Sequence, residues 1–238
     1  MIRAHRHGFL GALVRWYATQ EVRRTFRGVW LKGPRPEGGA SVIFYANHRS
    51  YWDAFAGHAL VEHLGFEGYG LMHEANLAKY RFLTRLGAFS IRPNDARSAV
   101  ESLRYARALL QNPKTGLLIF PEGEQRPLAR APLKLAPGVA TLSKSSKARC
   151  VPVGMSALFL EDEKPDLLIE LGPAHEGGPL GIFQDALDDV VRRVDSATST
   201  QGFECIVRGK ESLAQRFRRA REDAAKPRLE LLGTARHG

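Results

Sequence analysis

Cysteine is scarce: Cys150 and Cys205 are the two among 238 residues. That is too few for a disulfide framework, and a reducing compartment is the simplest setting. No stretch approaches the ~18 uninterrupted apolar residues of a membrane-spanning helix. The longest early apolar run, residues 8–14, stops at Arg15 and lacks a small-residue cleavage site, so a secretory signal is not expected. Several catalytic signatures are missing too. Gly154-Met155-Ser156-Ala157-Leu158 fails G-x-S-x-G at its last position, which disfavours a serine-elbow hydrolase. There is no P-loop, no G-x-G-x-x-G and no C-x-x-C. His58 and His63 stand five apart, off-face for joint ligation on a helix, and no second His lies at a helical spacing from His48. No metal is expected.

What is present is a globular composition, 44% hydrophobic and 25% charged, which excludes a disordered chain. A single domain of this size buries roughly 70% of its unfolded surface and needs no staple. The net charge of +10 is unevenly placed. Residues 1–36 hold eight Lys/Arg against Glu21, for +7; residues 208–228 carry +5; residues 37–207 carry −2. Basic ends admit an anionic membrane or nucleic acid as partner, and for the C-terminal run a solvated helical face serves equally well. The acidic middle offers no basic surface for reading nucleic acid, which is therefore not expected as a partner.

Residues 9–17 read as a helix carrying interfacial aromatics, and Val22, Phe26, Val29 and Trp30 continue its apolar stripe beside Arg23, Arg24 and Arg27. Basic residues beside Trp and Phe suit a helix lying in a headgroup layer, and packing on the domain explains the same stripe. A Pro/Gly cluster at 33–39 breaks the chain. Short apolar runs at 41–45, 88–91, 116–120, 150–155 and 167–171 read as strands. Segments 50–64, 95–111, 138–145, 180–196 and 209–226 read as helices. The alternation predicts an α/β fold: one domain with a mixed central sheet flanked by helices, preceded by an amphipathic N-terminal helical segment. Its divisions are 1–36 (basic, membrane-associating helices), 37–207 (the α/β domain) and 208–238 (a basic helix and tail).

Asn47-His48-Arg49-Ser50-Tyr51-Trp52-Asp53 follows the first of these strands. A carboxylate that orients an imidazole and stabilises its charged form lets the other ring nitrogen take a hydroxyl proton. Five residues on a continuous helix would put the two side chains ~140° apart, so His48 must lie in the turn before the helix, with Ser50 as N-cap. Ser50-x-x-Asp53 is also close to a capping box, in which Asp53 serves the helix start instead. Arg92 ends the strand at 88–91 with a guanidinium suited to phosphate or carboxylate. Phe120-Pro121-Glu122-Gly123-Glu124-Gln125-Arg126 places a carboxylate and an arginine at a sharp turn. Val151-Pro152-Val153 puts a proline in a strand, an edge or site-lining feature.

In this order and spacing the four segments resemble the glycerolipid acyltransferase family, the 1-acylglycerol-3-phosphate acyltransferases and their relatives. That family carries N-H-x4-D, G-x4-R, F-P-E-G-T-R-S and V-P-V/I blocks. Asn47, His48 and Asp53 match the first, Gly87 and Arg92 the second. Phe120 to Gly123 match the third, Val151 to Val153 the fourth, and Lys134 and Gly138 resemble a segment after the third. The resemblance covers residues 41–155. It implies transfer of a fatty acyl group from a thioester of acyl-carrier protein or coenzyme A to the hydroxyl of 1-acylglycerol-3-phosphate or a related lysolipid or glycolipid, with no further cofactor. His48 and Asp53 would be catalytic; Asn47, Arg92, Glu122, Gly123 and Arg126 would bind substrate. A peripheral place on the cytoplasmic face of an anionic membrane is implied as well. The third block departs from the family: Glu124-Gln125 stands for Thr-Arg, and the arginine expected to hold the acceptor's phosphate comes one place later, at Arg126. A lipid hydrolase or transacylase using the same His/Asp pair, and a non-catalytic basic membrane-binding protein, are the alternatives.

Overall fold

A computed structural model describes residues 1–127, 131–160, 162–211, 215–217 and 219–221. Among the described residues eight strands form one sheet: β1 (Gly28–Lys32), β2 (Val42–Ala46), β3 (Glu67–His73), β4 (Ala88–Ile91), β5 (Thr115–Ile119), β6 (Arg149–Leu158), β7 (Asp166–Leu171) and β8 (Glu204–Arg208). Their spatial order is β4-β3-β5-β2-β6-β7-β1-β8. The run from β4 to β6 is parallel, β7 is antiparallel to β6 and parallel to β1, and β8 closes antiparallel to β1. The helices are α1 (Phe9–Thr25), α2 (Asp53–His63), α3 (Glu74–Lys79), α4 (Ala96–Leu109), α5 (Gly138–Ser145) and α6 (Leu180–Asp195), with a 3₁₀ turn at Arg81–Leu86. The mixed-sheet α/β expectation holds, with the N-terminal helix present.

The central strands are apolar throughout because both of their faces are covered, as in parallel sheets generally. Along β2, Val42, Phe44 and Ala46 pack with Val22 of α1 and Phe55 and Leu60 of α2. Ile43 and Tyr45 point the other way, into a cluster with Ala106 of α4, Leu142 of α5 and Phe183, Leu187 and Val190 of α6. Period-2 alternation thus puts two helices on one face and three on the other. Cys150 lies in the second cluster, fully buried, and burial pushes its thiol up to about 12.

The N-terminal stripe divides. α1 ends at Thr25, Phe26 is extended, and Val29 and Trp30 lie on β1, not on a continued helix. Pairing of β1 with β7 overrides the helical spacing, and Val22, Phe26 and Val29 are all buried against the domain. All three flanking arginines are engaged: Arg27 pairs with the buried Asp166 at 2.7 Å, Arg23 donates to the Arg208 carbonyl on β8 at 3.1 Å, and Arg24 pairs along α1 with Glu21 at 2.5 Å. α1 remains apolar on its outer side, where Phe9 is 81% and Trp16 60% exposed beside Leu13 and Tyr17. No helix among the described residues is long and apolar enough to cross a membrane.

One further expectation is corrected and another is met in part. Pro152 lies on β6, between β2 and β7, and not on an edge. It is tolerated because the pairing with β7 begins only at Val153. The proposed helix at 209–226 is helical at 215–217 and 219–221; residues 212–214, 218 and 222–238 lie outside the described residues. On α2, His58 is packed near the Arg6–Glu62 ion pair, which closes at 2.8 Å. Burial, against the pull of Glu62 and with Arg6 and Arg15 adding to it, lowers its imidazole to about 4.

Candidate active site

In open α/β sheets ligands bind beyond the carboxyl ends of the parallel strands. Here β2, flanked by β5 and β6, ends at Ala46 and passes directly into the His48 turn. Asn47 is fully buried, and its amide exchanges two hydrogen bonds with the backbone of Met155 on β6, at 2.8 and 2.9 Å. That side chain carries the β2–β6 pairing one residue past the strand and fixes where the turn begins.

The turn then doubles back. α2 starts at Asp53, not at Ser50, so His48 sits outside the helix, as the five-residue spacing requires. His48 Nδ1 lies 3.1 Å from Asp53 Oδ2. The same oxygen accepts from the backbone N–H of Arg49 at 2.6 Å and of Ser50 at 2.7 Å, while Oδ1 accepts from Ser50 Oγ at 2.7 Å. The N-cap is Trp52 and not Ser50, so the expected Ser50 cap and capping box do not form; Asp53, the first helical residue, instead reaches back to the Ser50 N–H in the turn ahead of the helix. Helix start and imidazole orientation are therefore one network, not alternatives. With Nδ1 turned to the carboxylate, the lone pair that can take a proton is on Nε2. Phe120 stacks on the imidazole, centroids 4.2 Å apart and planes 21° from parallel, which fixes the ring plane.

The loop after β5 clamps the turn from the other side. Glu122 Oε2 accepts from the His48 backbone N–H at 3.0 Å, and the Arg126 N–H donates to the His48 carbonyl at 2.7 Å. Gln125 Nε2 donates to the Arg49 carbonyl at 3.2 Å. The loop bends at Gly123, whose φ of +76° is a conformation other residues enter only with strain. Glu122 is buried, and burial raises its carboxyl above the usual value, against the opposing pull of the His48 N–H and of Arg126, His48 and Arg49. Its Oε1 is buried without a hydrogen-bond partner among the described residues. Glu124 Oε1 lies 2.7 Å from Arg126 Nη2, so the displaced arginine is already answered by a carboxylate. A cleft of about 270 Å³ opens beside the turn, lined by Arg49, Ser50, Asp53, Pro127, Met155, Ser156 and Ala157.

His48, Asp53, Asn47, Glu122, Gly123 and Arg126 are thus brought together. Arg92 is not in that group. It leaves the carboxyl end of β4, three strand spacings or about 14 Å across the sheet from β2. There it pairs with Glu74 at 3.4 Å and Asp95 at 3.3 Å.

The acyltransferase family model matches residues 19–156, more than half of the chain and all of this turn and clamp. The chain belongs to the acyltransferase family. No curated protein matches the chain significantly. Within this acyltransferase, sequence reasoning missed Arg49 and Asp195, whose side chains meet in a fork at 2.5 and 2.8 Å. The one available signal was an acid at the very end of a helix, where basic residues are favoured.

Proposed function

We propose that the protein transfers a fatty acyl group from a thioester, carried by acyl-carrier protein or coenzyme A, to the hydroxyl of a lipid at a membrane surface. The observation that carries this reading is the 3.1 Å approach of His48 Nδ1 to an Asp53 carboxylate already held by three other donors. Such a carboxylate cannot swing away, so it holds the ring and stabilises the imidazolium as it forms. His48 Nε2 takes the acceptor's hydroxyl proton, the oxygen attacks the thioester carbon, the C–S bond breaks, and the departing thiolate takes the proton back from the imidazolium. No acyl-enzyme forms.

Glu122 and Gly123 shape the acceptor end and Arg126 takes its polar head, whereas Arg92, on β4 and paired with Glu74 and Asp95, lies too far across the sheet to share that task. An unpaired buried oxygen such as Glu122 Oε1 costs about 1–3 kcal/mol, a cost that an acceptor hydroxyl donating to it would relieve. The Glu124–Arg126 pair favours an uncharged or zwitterionic head over a phosphomonoester, which would have to displace the carboxylate. The exposed apolar side of α1 supports peripheral attachment to a membrane, with the anionic cytoplasmic face as the surface proposed. Tyr51, in the catalytic turn itself, is exposed and lies near Tyr17 of α1 and Tyr80. That would set the turn beside the lipid surface.

The test is incubation of the full chain with labelled acyl thioester and a panel of lysolipids, glycolipids and lysophosphatidate in vesicles, with products identified by mass spectrometry. Acylated lipid made by the wild type and lost in His48→Ala is the expected result. Release of free fatty acid with every acceptor would instead make the protein a thioester hydrolase.

A further inference from the structure

Asp195 is the last residue of α6. A carboxylate there faces the negative end of the helix dipole, a place suited to cations, and the same turn does carry Arg192 and Arg193. The side chain turns away from its own helix to Arg49: Nη1 lies 2.5 Å from Oδ1 and Nη2 2.8 Å from Oδ2. A parallel fork of this kind fixes orientation as well as distance. Arg49 is 17% and Asp195 30% exposed, so solvent screens part of the attraction and the geometry is what matters most.

Arg49 follows His48 directly. Its N–H donates to Asp53 Oδ2, its carbonyl accepts from Gln125, and its guanidinium feels Asp53 and Glu122 as well as Asp195. α6 can come this close because β6 has a glycine where they cross: a Cβ on Gly154 would stand 2.6 Å from the Val190 carbonyl oxygen. The contact therefore joins the end of α6 to the one peptide segment from which the imidazole projects.

We propose that Asp195 is a positioning residue for acyl transfer. Through Arg49 it holds the backbone that carries His48 and balances the guanidinium charge beside Asp53 and Glu122. This rests on His48 acting as the base, and it places a contributor outside the family-matched segment 19–156.

Asp195→Asn, Arg49→Gln and the double variant test it in the full chain, with His48→Ala measured alongside. An amide keeps an oxygen for Arg49 and removes an acid from the helix end, so melting of Asp195→Asn should stay close to wild type. Its kcat should fall about tenfold to a hundredfold, the scale of a small misplacement of a reacting group, with KM for the thioester little changed. The double variant should be no slower than Arg49→Gln alone, because both changes remove one interaction. Asp195→Glu should recover part of the loss. Wild-type kcat in Asp195→Asn beside an inactive His48→Ala would overturn the role of Asp195 alone, as would losses that multiply in the double variant. Full turnover in His48→Ala would overturn the reading of the base, and this inference with it.

Discussion

Replacing Asp53 by Asn separates two tasks that one carboxylate performs. Oδ2 accepts from two backbone N–H groups and His48 Nδ1, and Oδ1 from Ser50 Oγ. An Asn whose oxygen takes the place of Oδ2 keeps the first three bonds, and its NH2 donates to Ser50 Oγ. What is lost is charge. Hydrogen bonds to a charged acceptor exceed neutral ones by about 1 kcal/mol each, so two backbone bonds put the stability loss at roughly 1–3 kcal/mol. For a chain of this size that is a fall in Tm of about 2–10 °C. Turnover should fall much further, by about two to four orders of magnitude, because an amide cannot stabilise the imidazolium. Each order corresponds to about 1.4 kcal/mol of barrier, so catalysis loses more than folding does. Asp53→Ala leaves both N–H groups without an acceptor, and its stability loss should reach roughly 2–6 kcal/mol. Initial rates with labelled thioester and thermal melts on the three proteins check these values. Wild-type turnover in Asp53→Asn with a lowered Tm would make Asp53 a helix-start residue and nothing more.

The other expectations concern stability, location and acceptor. The folded-state imidazole of His58 is lowered to about 4, so as pH falls the unfolded chain takes up a proton first. Stability is fully present above pH 6.5 and is lost toward pH 4, by at most about 3 kcal/mol. Melts across that window should show an acid slope that His58→Leu flattens, and equal slopes would refute it. Changing Phe9, Leu13 and Trp16 to Ser leaves the inner side of α1 untouched. At about 1 kcal/mol for each side chain withdrawn from a headgroup layer, partition onto anionic vesicles should drop about a hundredfold with Tm unchanged. Sedimentation with vesicles decides it, and full retention would put the anchor elsewhere. Glu124→Thr with Gln125→Arg should move acceptor preference toward lysophosphatidate. Efficient use of lysophosphatidate by the wild type, insensitive to Arg126→Ala, would show that the Glu124–Arg126 pair does not govern the head group.

The parts legible in the sequence are those where one physical requirement dominates. β2 and β5 must be apolar on both faces and read as apolar runs. α6 shows its buried side at helical spacing through Phe183, Leu187, Val190, Val191 and Val194. The His48/Asp53 pair was legible because its contact is local. β3 escaped notice: Glu67-Gly68-Tyr69-Gly70 has little β-branched character, and its strand state comes from lying between β4 and β5. β8 is short and mostly half-buried, and β1 continued the spacing of α1. The Glu122 bond to the His48 N–H spans 74 residues and the Arg49–Asp195 fork 146, distances over which a linear pattern carries no trace of proximity.

The clamp loop has a consequence for how such a protein can change. Glu122 points inward to the peptide of His48, and the backbone of Arg126 closes the same turn. Between them the side chain of Glu124 is two-thirds exposed and pairs, among the described residues, with the Arg126 guanidinium. The segment is a hinge pin with a removable cap: Glu122, Gln125 and Arg126 are committed to holding the His48 turn, and the Glu124 side chain is not. Substitution at 124 can retune what approaches His48 while every bond that holds its turn persists. Diversity of acceptors can then accumulate around an unaltered reaction, one surface residue at a time.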